Sequence, residues 1–180
     1  MSPNPSGAFI FLFETLISLA SLVFLLRFIL QLARADYYNQ VTQMILKISA
    51  PVITPLRKII PNPNRIDFGS LIILYLLSLA STWILLLNAP VSYPIASILI
   101  HAAMLLLKKI IWAYIIMIII RAIASFIMPP FGNPYIDLLV QATEPLMSPV
   151  RRAMPDLGGF DLSPLIVIIA LQFLLKLIGV

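Results

Sequence analysis

Residues 143–152 read TEPLMSPVRR, and residues 49–58 read SAPVITPLRK. The two stretches align without a gap at a constant offset of 94 positions, and the alignment continues on both sides of them. Identical residues recur at this offset, mostly rare types that set backbone structure: Arg27 and Arg121, Asn39 and Asn133, Pro51 and Pro145, Pro55 and Pro149, Arg57 and Arg151, Pro61 and Pro155, and Asp67 and Asp161. Self-similarity at one fixed period indicates a single module used twice.

The composition around this module is that of a membrane protein. Of the 180 residues, 61% are apolar and only 11% are charged, whereas soluble domains carry about 25% charged residues. The chain has no cysteine and one histidine, so we expect no metal site and no cofactor. Its net charge of +5 comes from basic residues in short segments between apolar runs. This placement favours anionic lipid head groups over nucleic acid as partners.

Four apolar segments are candidates to cross a bilayer, whose core needs about 20 helical residues. They cover residues 8–33, 68–87, 100–128 and 162–180 approximately. The predicted fold is therefore an all-α integral membrane protein of two repeats, residues 8–89 and 96–180, with two spans each. Two crossings per repeat give both copies the same orientation, so the repeats are parallel. The first segment lacks a preceding basic residue and is too long for a signal peptide, so we predict a retained span.

The loops between the spans of each repeat set the expected orientation. Loops 34–67 and 129–161 carry seven basic residues, whereas the tail before the first span and residues 88–95 carry none. The positive-inside rule then places both loops in the cytoplasm and both termini outside.

Each loop is predicted to contain a helix that lies in the membrane interface. Asn39 and Asn133 are suited to cap such a helix, and the residues at i, i+3, i+4 and i+7 after Asn39 are apolar: Val41, Met44, Ile45 and Ile48. We expect the helix to end at Pro51 or Pro145, because proline removes a backbone donor and clashes with the preceding turn.

An irregular, proline-rich stretch is then predicted at head-group depth. Its cations are Arg57, Lys58, Arg151 and Arg152. Each is expected to contribute about 1 kcal/mol through lipid phosphates.

The second copy resembles the signature of the YggT family, which is also called YlmG. The resemblance rests on Asn133–Pro134, on residues 143–152 and on Pro155, and it covers both repeats from about Arg27 onward. The first copy departs from the pattern, with Ser49–Ala50 in place of Thr–Glu and Lys58 in place of the second arginine. The resemblance implies a non-enzymatic protein of the bacterial inner membrane. It connects the chain with osmotic and ion homeostasis, cell division or the biogenesis of membrane complexes.

Two charged residues lie inside predicted spans. Glu14 and Lys108 are related by the offset of 94, and each lies 13 positions before the arginine of its repeat. Both are therefore expected at one depth, roughly 20 Å from the inner interface, where they can pair across a pseudo-two-fold axis. The pair has either a structural role in helix packing or a functional one as an ion or proton site. In a third possibility Lys108 and Lys109 extend outward and Glu14 is protonated.

The remaining candidate residues lie at the membrane interface. Arg27 and Arg121 are expected to anchor the inner ends of spans, with pairing to loop acids such as Asp137 or Glu144 as the alternative. Asp67 and Asp161 are expected to cap the second helix of each repeat. A further candidate is a lipid- or partner-binding patch that combines Glu144 with the arginines at 151 and 152.

The residues indicate no enzyme, since no nucleophile with a base, metal cluster or carboxylate pair is visible. The leading hypothesis is a protein that organises or stabilises other membrane components, through a protein partner or a second copy of itself. The alternative is a small ion transporter or channel component that uses Glu14 and Lys108.

Overall fold

The computed structural model describes residues 5–60, 66–86, 93–127, 133–154 and 161–179. Within these ranges the chain forms six α-helices and no strand, which confirms the predicted all-helical class. In chain order they are α1 (Pro5–Leu32), α2 (Gln40–Ile59), α3 (Phe68–Leu86), α4 (Ile95–Ile127), α5 (Pro134–Ala153) and α6 (Ser163–Leu177).

Three of the described helices are long and apolar enough to cross a membrane: α1, α3 and α4. Phe9, Phe11 and Phe13 of α1 are all exposed although successive members point to different sides of the helix, and this apolar surface is too extensive for a protein in water. Helix α6 is apolar but has only 15 residues, a length of about 22 Å. It is shorter than the predicted span over residues 162–180.

The helices pack in the same way within each copy. In the first, α1 packs on α2 and α3, and α2 on α3; in the second, α4 packs on α5 and α6, and α5 on α6. The copies meet where α3 packs on α4 and where α1 touches α5. Ile29, Leu74, Ile115 and Ile118 are fully buried members of one continuous core.

The caps of α2 and α5 agree with the sequence. The Asn39 side-chain oxygen accepts from the amide of Val41 at 2.9 Å, and that of Asn133 accepts from the amide of Tyr135 at 3.0 Å. Both side chains satisfy a backbone amide that has no partner inside the helix.

The prediction that Pro51 and Pro145 end these helices is wrong. Helix α2 continues to Ile59 and α5 to Ala153, with two prolines inside each: Pro51 and Pro55, and Pro145 and Pro149. All four prolines are exposed. The two prolines inside α2 cost about 6 kcal/mol together, and burial of Ile45 and Ile53 on the inner face contributes about 3–6 kcal/mol in all. Packing of the apolar face therefore offsets most of the local preference to break.

Candidate functional site

A buried ion pair joins the three helices of the first copy. Arg27 lies near the end of α1 with 4% of its side chain exposed, and its Nε donates to Asp67 Oδ2 at 2.9 Å. Its Nη1 donates to Ser49 Oγ of α2 at 2.6 Å and, at 3.5 Å, to the carbonyl of Leu46. One guanidinium thus fixes α2 to α1 and to the start of α3.

Asp67 combines the predicted capping role with this ion pair. Its carboxylate is fully buried and accepts from the Ser70 amide at 3.3 Å and from the Ser70 hydroxyl at 3.0 Å. A second, half-exposed guanidinium, that of Arg57, lies 3.5 Å from Asp67 Oδ2 and 3.3 Å from Gln31 Oε1. Burial of this carboxylate is tolerated because donors surround it.

The second copy repeats the centre of this network. Arg121 Nη1 donates to Thr143 Oγ1 at 2.8 Å and to the carbonyl of Val140 at 3.4 Å. Thr143 and Val140 lie 94 positions after Ser49 and Leu46, so each arginine binds the hydroxyl and the carbonyl at the matching places.

The outer part of the second network differs because of Glu144. Its Oε2 accepts from Arg121 Nη2 at 3.0 Å and its Oε1 from Arg151 Nη1 at 2.9 Å. Arg151 also pairs with Asp161 Oδ2 at 3.0 Å, and the Asp161 Oδ1 accepts from the amide of Ser163 at 2.9 Å. Four charges therefore alternate in a chain from α4 through α5 to the start of α6.

Two groups in this series of alternating charges, Asp161 and Arg151, are stabilised in their charged forms by their partners. Burial disfavours charge on Asp161, but hydrogen bonds from Ser163 and the Arg151 guanidinium hold the pKa of its carboxyl below the ordinary value. Burial likewise disfavours charge on Arg151, yet the Asp161 and Glu144 carboxylates raise the pKa of its guanidinium. Both groups stay charged at neutral pH.

Residues at the entrance of α5 link the two copies. Asn39 Nδ2 donates to the carbonyl of Pro134 at 2.6 Å, and the amide of Asp36 donates to Gln141 Oε1 at 2.6 Å. These bonds hold the start of α2 against α5. Helices α2 and α5 are therefore connected through hydrogen bonds near the start of α2.

The residues predicted at the membrane interface have other partners in the structure than the sequence analysis predicted. Arg27 and Arg121 are network centres rather than simple anchors, and Glu144 and Arg151 are engaged in internal ion pairs. Lys58 and Arg152 are exposed, and within the described part of the chain neither forms an ion pair. Pro61 and Pro155 lie outside the described residues. Sequence reasoning missed Ser49 and Thr143, although each follows its arginine by 22 positions.

The predicted pair between Glu14 and Lys108 is not formed. Glu14 is half-buried and has no ion-pair partner in the described ranges, while Lys108 Nζ lies 3.5 Å from the carbonyl of Gly179 after α6. Lys109, one position later, is the residue that reaches α1, with Nζ 3.5 Å from Ser21 Oγ. Lys108 therefore extends towards the end of α6 and not towards α1.

Comparison with known proteins agrees with this duplicated architecture. The family model described as CCB3/YggT matches residues 6–88 and again residues 100–180. The chain belongs to the CCB3/YggT family. The two matches fit a tandem repeat of the family module.

Relatives of similar length occur in several bacteria. The chain is 39% identical over 172 residues to an uncharacterized protein of Vibrio alginolyticus, covering 94% of this chain and 92% of the relative. It is 38% identical to an uncharacterized protein of Pseudomonas aeruginosa, with 93% and 86% covered. It is 37% identical to the uncharacterized protein YggT of Escherichia coli, with 89% and 84% covered. No solved structure shows a significant match.

Proposed function

We propose that this chain is a non-enzymatic, four-span protein of the bacterial inner membrane that organises or stabilises other membrane components. Its contact surface is the layer formed by α2 and α5, which lies on the cytoplasmic side with both termini outside. The family resemblance connects this role with osmotic and ion homeostasis, cell division or the biogenesis of membrane complexes.

The outward surface of α2 is the observation that carries the proposal. Met44, Ile48 and Val52 recur at i, i+4 and i+8 and are exposed, and the exposed cations Lys47 and Lys58 belong to the same helix. A helix with apolar side chains on one face and basic ones beside them binds the interface of an anionic membrane or an apolar partner there. The buried network around Arg27 holds this surface rigid, as a docking platform requires.

Helix α6 is proposed as the fourth span. It packs along α4 and exposes Leu165, Ile169 and Phe173 at i, i+4 and i+8, a stripe suited to lipid. A helix shorter than the hydrocarbon core is accommodated by local thinning of the bilayer.

A second candidate function is ion transport, which one observation favours. Glu14 is half-buried in α1 and has no ion-pair partner among the described residues. Ionisable groups inside spans commonly mark ion or proton routes.

Proton and potassium flux into liposomes containing the purified protein separates the two functions. We expect the bilayer to be as tight with the wild-type protein as with the Glu14→Gln variant. A flux that is abolished by Glu14→Gln would contradict the organising role and establish the transport one.

A second arm of the same test addresses the surface. In a bacterium that lacks this protein, survival of osmotic upshift should be restored by the wild type and by Glu14→Gln. It should not be restored by the double variant Lys58→Glu, Arg152→Glu, whose substitutions are exposed and leave the networks intact. Restoration by the double variant to the wild-type level would exclude this surface from the function.

A further inference from the structure

We infer that the first copy holds a binding site for a phosphate group, a site that the second copy has closed with its own glutamate. The inference is independent of the proposed function. It begins with a cavity of about 300 Å³ between the end of α1, the following turn and α2. Three cations line it, Arg27, Arg34 and Arg57.

A buried donor in the cavity wall has no acceptor. Thr42 also lines the cavity, has only 5% of its surface exposed, and its hydroxyl has no hydrogen-bond partner among the described residues. Leaving a buried hydroxyl unpaired is unfavourable, because the group has lost its hydrogen bonds to water. An anion in the cavity would accept from it and remove that cost.

Arg27, one of the three cations that line the cavity, has a nitrogen donor that none of the described residues engages. Within the described part of the chain, Arg27 Nη2 has no acceptor, whereas Nε and Nη1 are engaged by Asp67, Ser49 and Leu46. The matching nitrogen of the second copy, Arg121 Nη2, donates to the Glu144 carboxylate. The residue that matches Glu144 is Ala50, so the first copy has the arginine but lacks the anion.

The two copies also differ in the number of carboxylates that balance their arginines. In the second, Arg121 and Arg151 are balanced by Glu144 and Asp161. In the first, Arg27 and Arg57 share one described carboxylate, that of Asp67, and Arg34 forms no ion pair within the described ranges. Two positive charges are therefore left without a described counter-ion.

Arg34 accounts for the extra cation. It has a left-handed backbone conformation with φ 54°, which is uncommon for a residue other than glycine, and it lies in the turn that closes the cavity. The matching residue of the second copy is Met128. The additional positive charge therefore occurs in the copy that lacks the glutamate.

The chemistry of the cavity selects a phosphate group. Guanidinium groups bind phosphate oxygens through charge-assisted hydrogen bonds, and the hydroxyl of Thr42 supplies a neutral donor. The remaining wall includes the apolar residues Leu30, Ile45 and Leu46. This wall excludes water, and it also suits the glycerol region of a phospholipid. The phosphate belongs either to a lipid head group or to inorganic phosphate.

Binding measurements on the full chain, purified in detergent, test the site. Inorganic phosphate is titrated by calorimetry, and retention of phosphatidylglycerol against phosphatidylcholine is measured by native mass spectrometry. Binding of phosphatidylglycerol alone identifies a lipid site, and binding of inorganic phosphate identifies a free anion. Binding of neither overturns the proposal.

The decisive variant places the second copy's carboxylate in the first. Ala50→Glu should lower affinity by about tenfold or more, because the new carboxylate occupies Arg27 and Arg57. The matched neutral variant Ala50→Gln should stay within about threefold of wild type. Equal affinity of Ala50→Glu and wild type, or equal loss in both variants, would overturn the assignment.

Two further variants keep the test valid if Ala50→Glu does not fold. Arg34→Met introduces the residue of the second copy at an exposed position and should weaken binding by about threefold or more. Glu144→Ala should add a second binding site where Arg121 and Arg151 lose their shared carboxylate. A stoichiometry of one in Glu144→Ala, with unchanged binding in Arg34→Met, would contradict the inference.

Discussion

Replacing Arg27 with methionine is expected to lower the free energy of unfolding by about 3–5 kcal/mol, the usual cost of a buried ion pair that loses one partner. The reason is that Asp67 is fully buried and Arg27 pairs with it at 2.9 Å. Loss of the guanidinium also removes the donor to Ser49, which joins α1 to α2. Unfolding in mixed dodecyl sulfate micelles, followed by circular dichroism, measures the change.

The second copy supplies the matched control. Arg121 is 14% exposed and its partner Glu144 is 38% exposed and also pairs with Arg151, so Arg121→Met should cost only about 1 kcal/mol. Adding Asp67→Asn to Arg27→Met should recover part of the loss, because the amide keeps an acceptor for the Ser70 cap without the buried charge. Equal destabilisation by Arg27→Met and Arg121→Met would contradict this description of the first network.

Truncation of Ile53 to alanine is expected to have the second-largest effect, about 2–4 kcal/mol. Ile53 is 1% exposed on the inner face of α2, and its side chain lies beside Gly69 at the start of α3. The cavity left by the deletion cannot collapse while Arg27 holds the helices in place. The free energy of unfolding, measured in the same micelles, reports the change.

The neighbouring Val52 is the control for this prediction. It is 41% exposed, so Val52→Ala should change stability by about 0.5 kcal/mol or less. Met147 occupies the matching position in the second copy and is fully buried, so Met147→Ala should resemble Ile53→Ala. A stable Ile53→Ala variant would show that α2 does not depend on this contact for its position in the bundle.

The features that were predictable from the sequence are those set by local patterns. The repeat, the apolar helices and the Asn39 and Asn133 caps follow from spacing and from residues with narrow backbone preferences. The pairing of Arg121 with Glu144 was among the alternatives that the sequence left open. These features are encoded over short distances along the chain or duplicated at the offset of 94.

Features that depend on packing were not predictable in this way. Local sequence rules predict that helices end at Pro51 and Pro145, but the buried contacts of α2 and α5 stabilise the longer helices. The pair of Glu14 and Lys108 followed from assuming a pseudo-two-fold contact, whereas Lys108 extends towards the end of α6. Arg27 pairs with Asp67, which lies 40 positions away in the sequence. Only the three-dimensional arrangement of α1, α2 and α3 brings these residues together.

The central claim is that one module is used twice, with both interfacial helices on the cytoplasmic face of the membrane. The chain contains no cysteine, so single substitutions Lys58→Cys, Arg152→Cys and Tyr93→Cys give unambiguous labelling by a membrane-impermeant maleimide. In intact spheroplasts only Tyr93→Cys should react, and the other two should react after permeabilisation. Reaction of Lys58→Cys and Arg152→Cys from opposite sides of the membrane would contradict the parallel repeat.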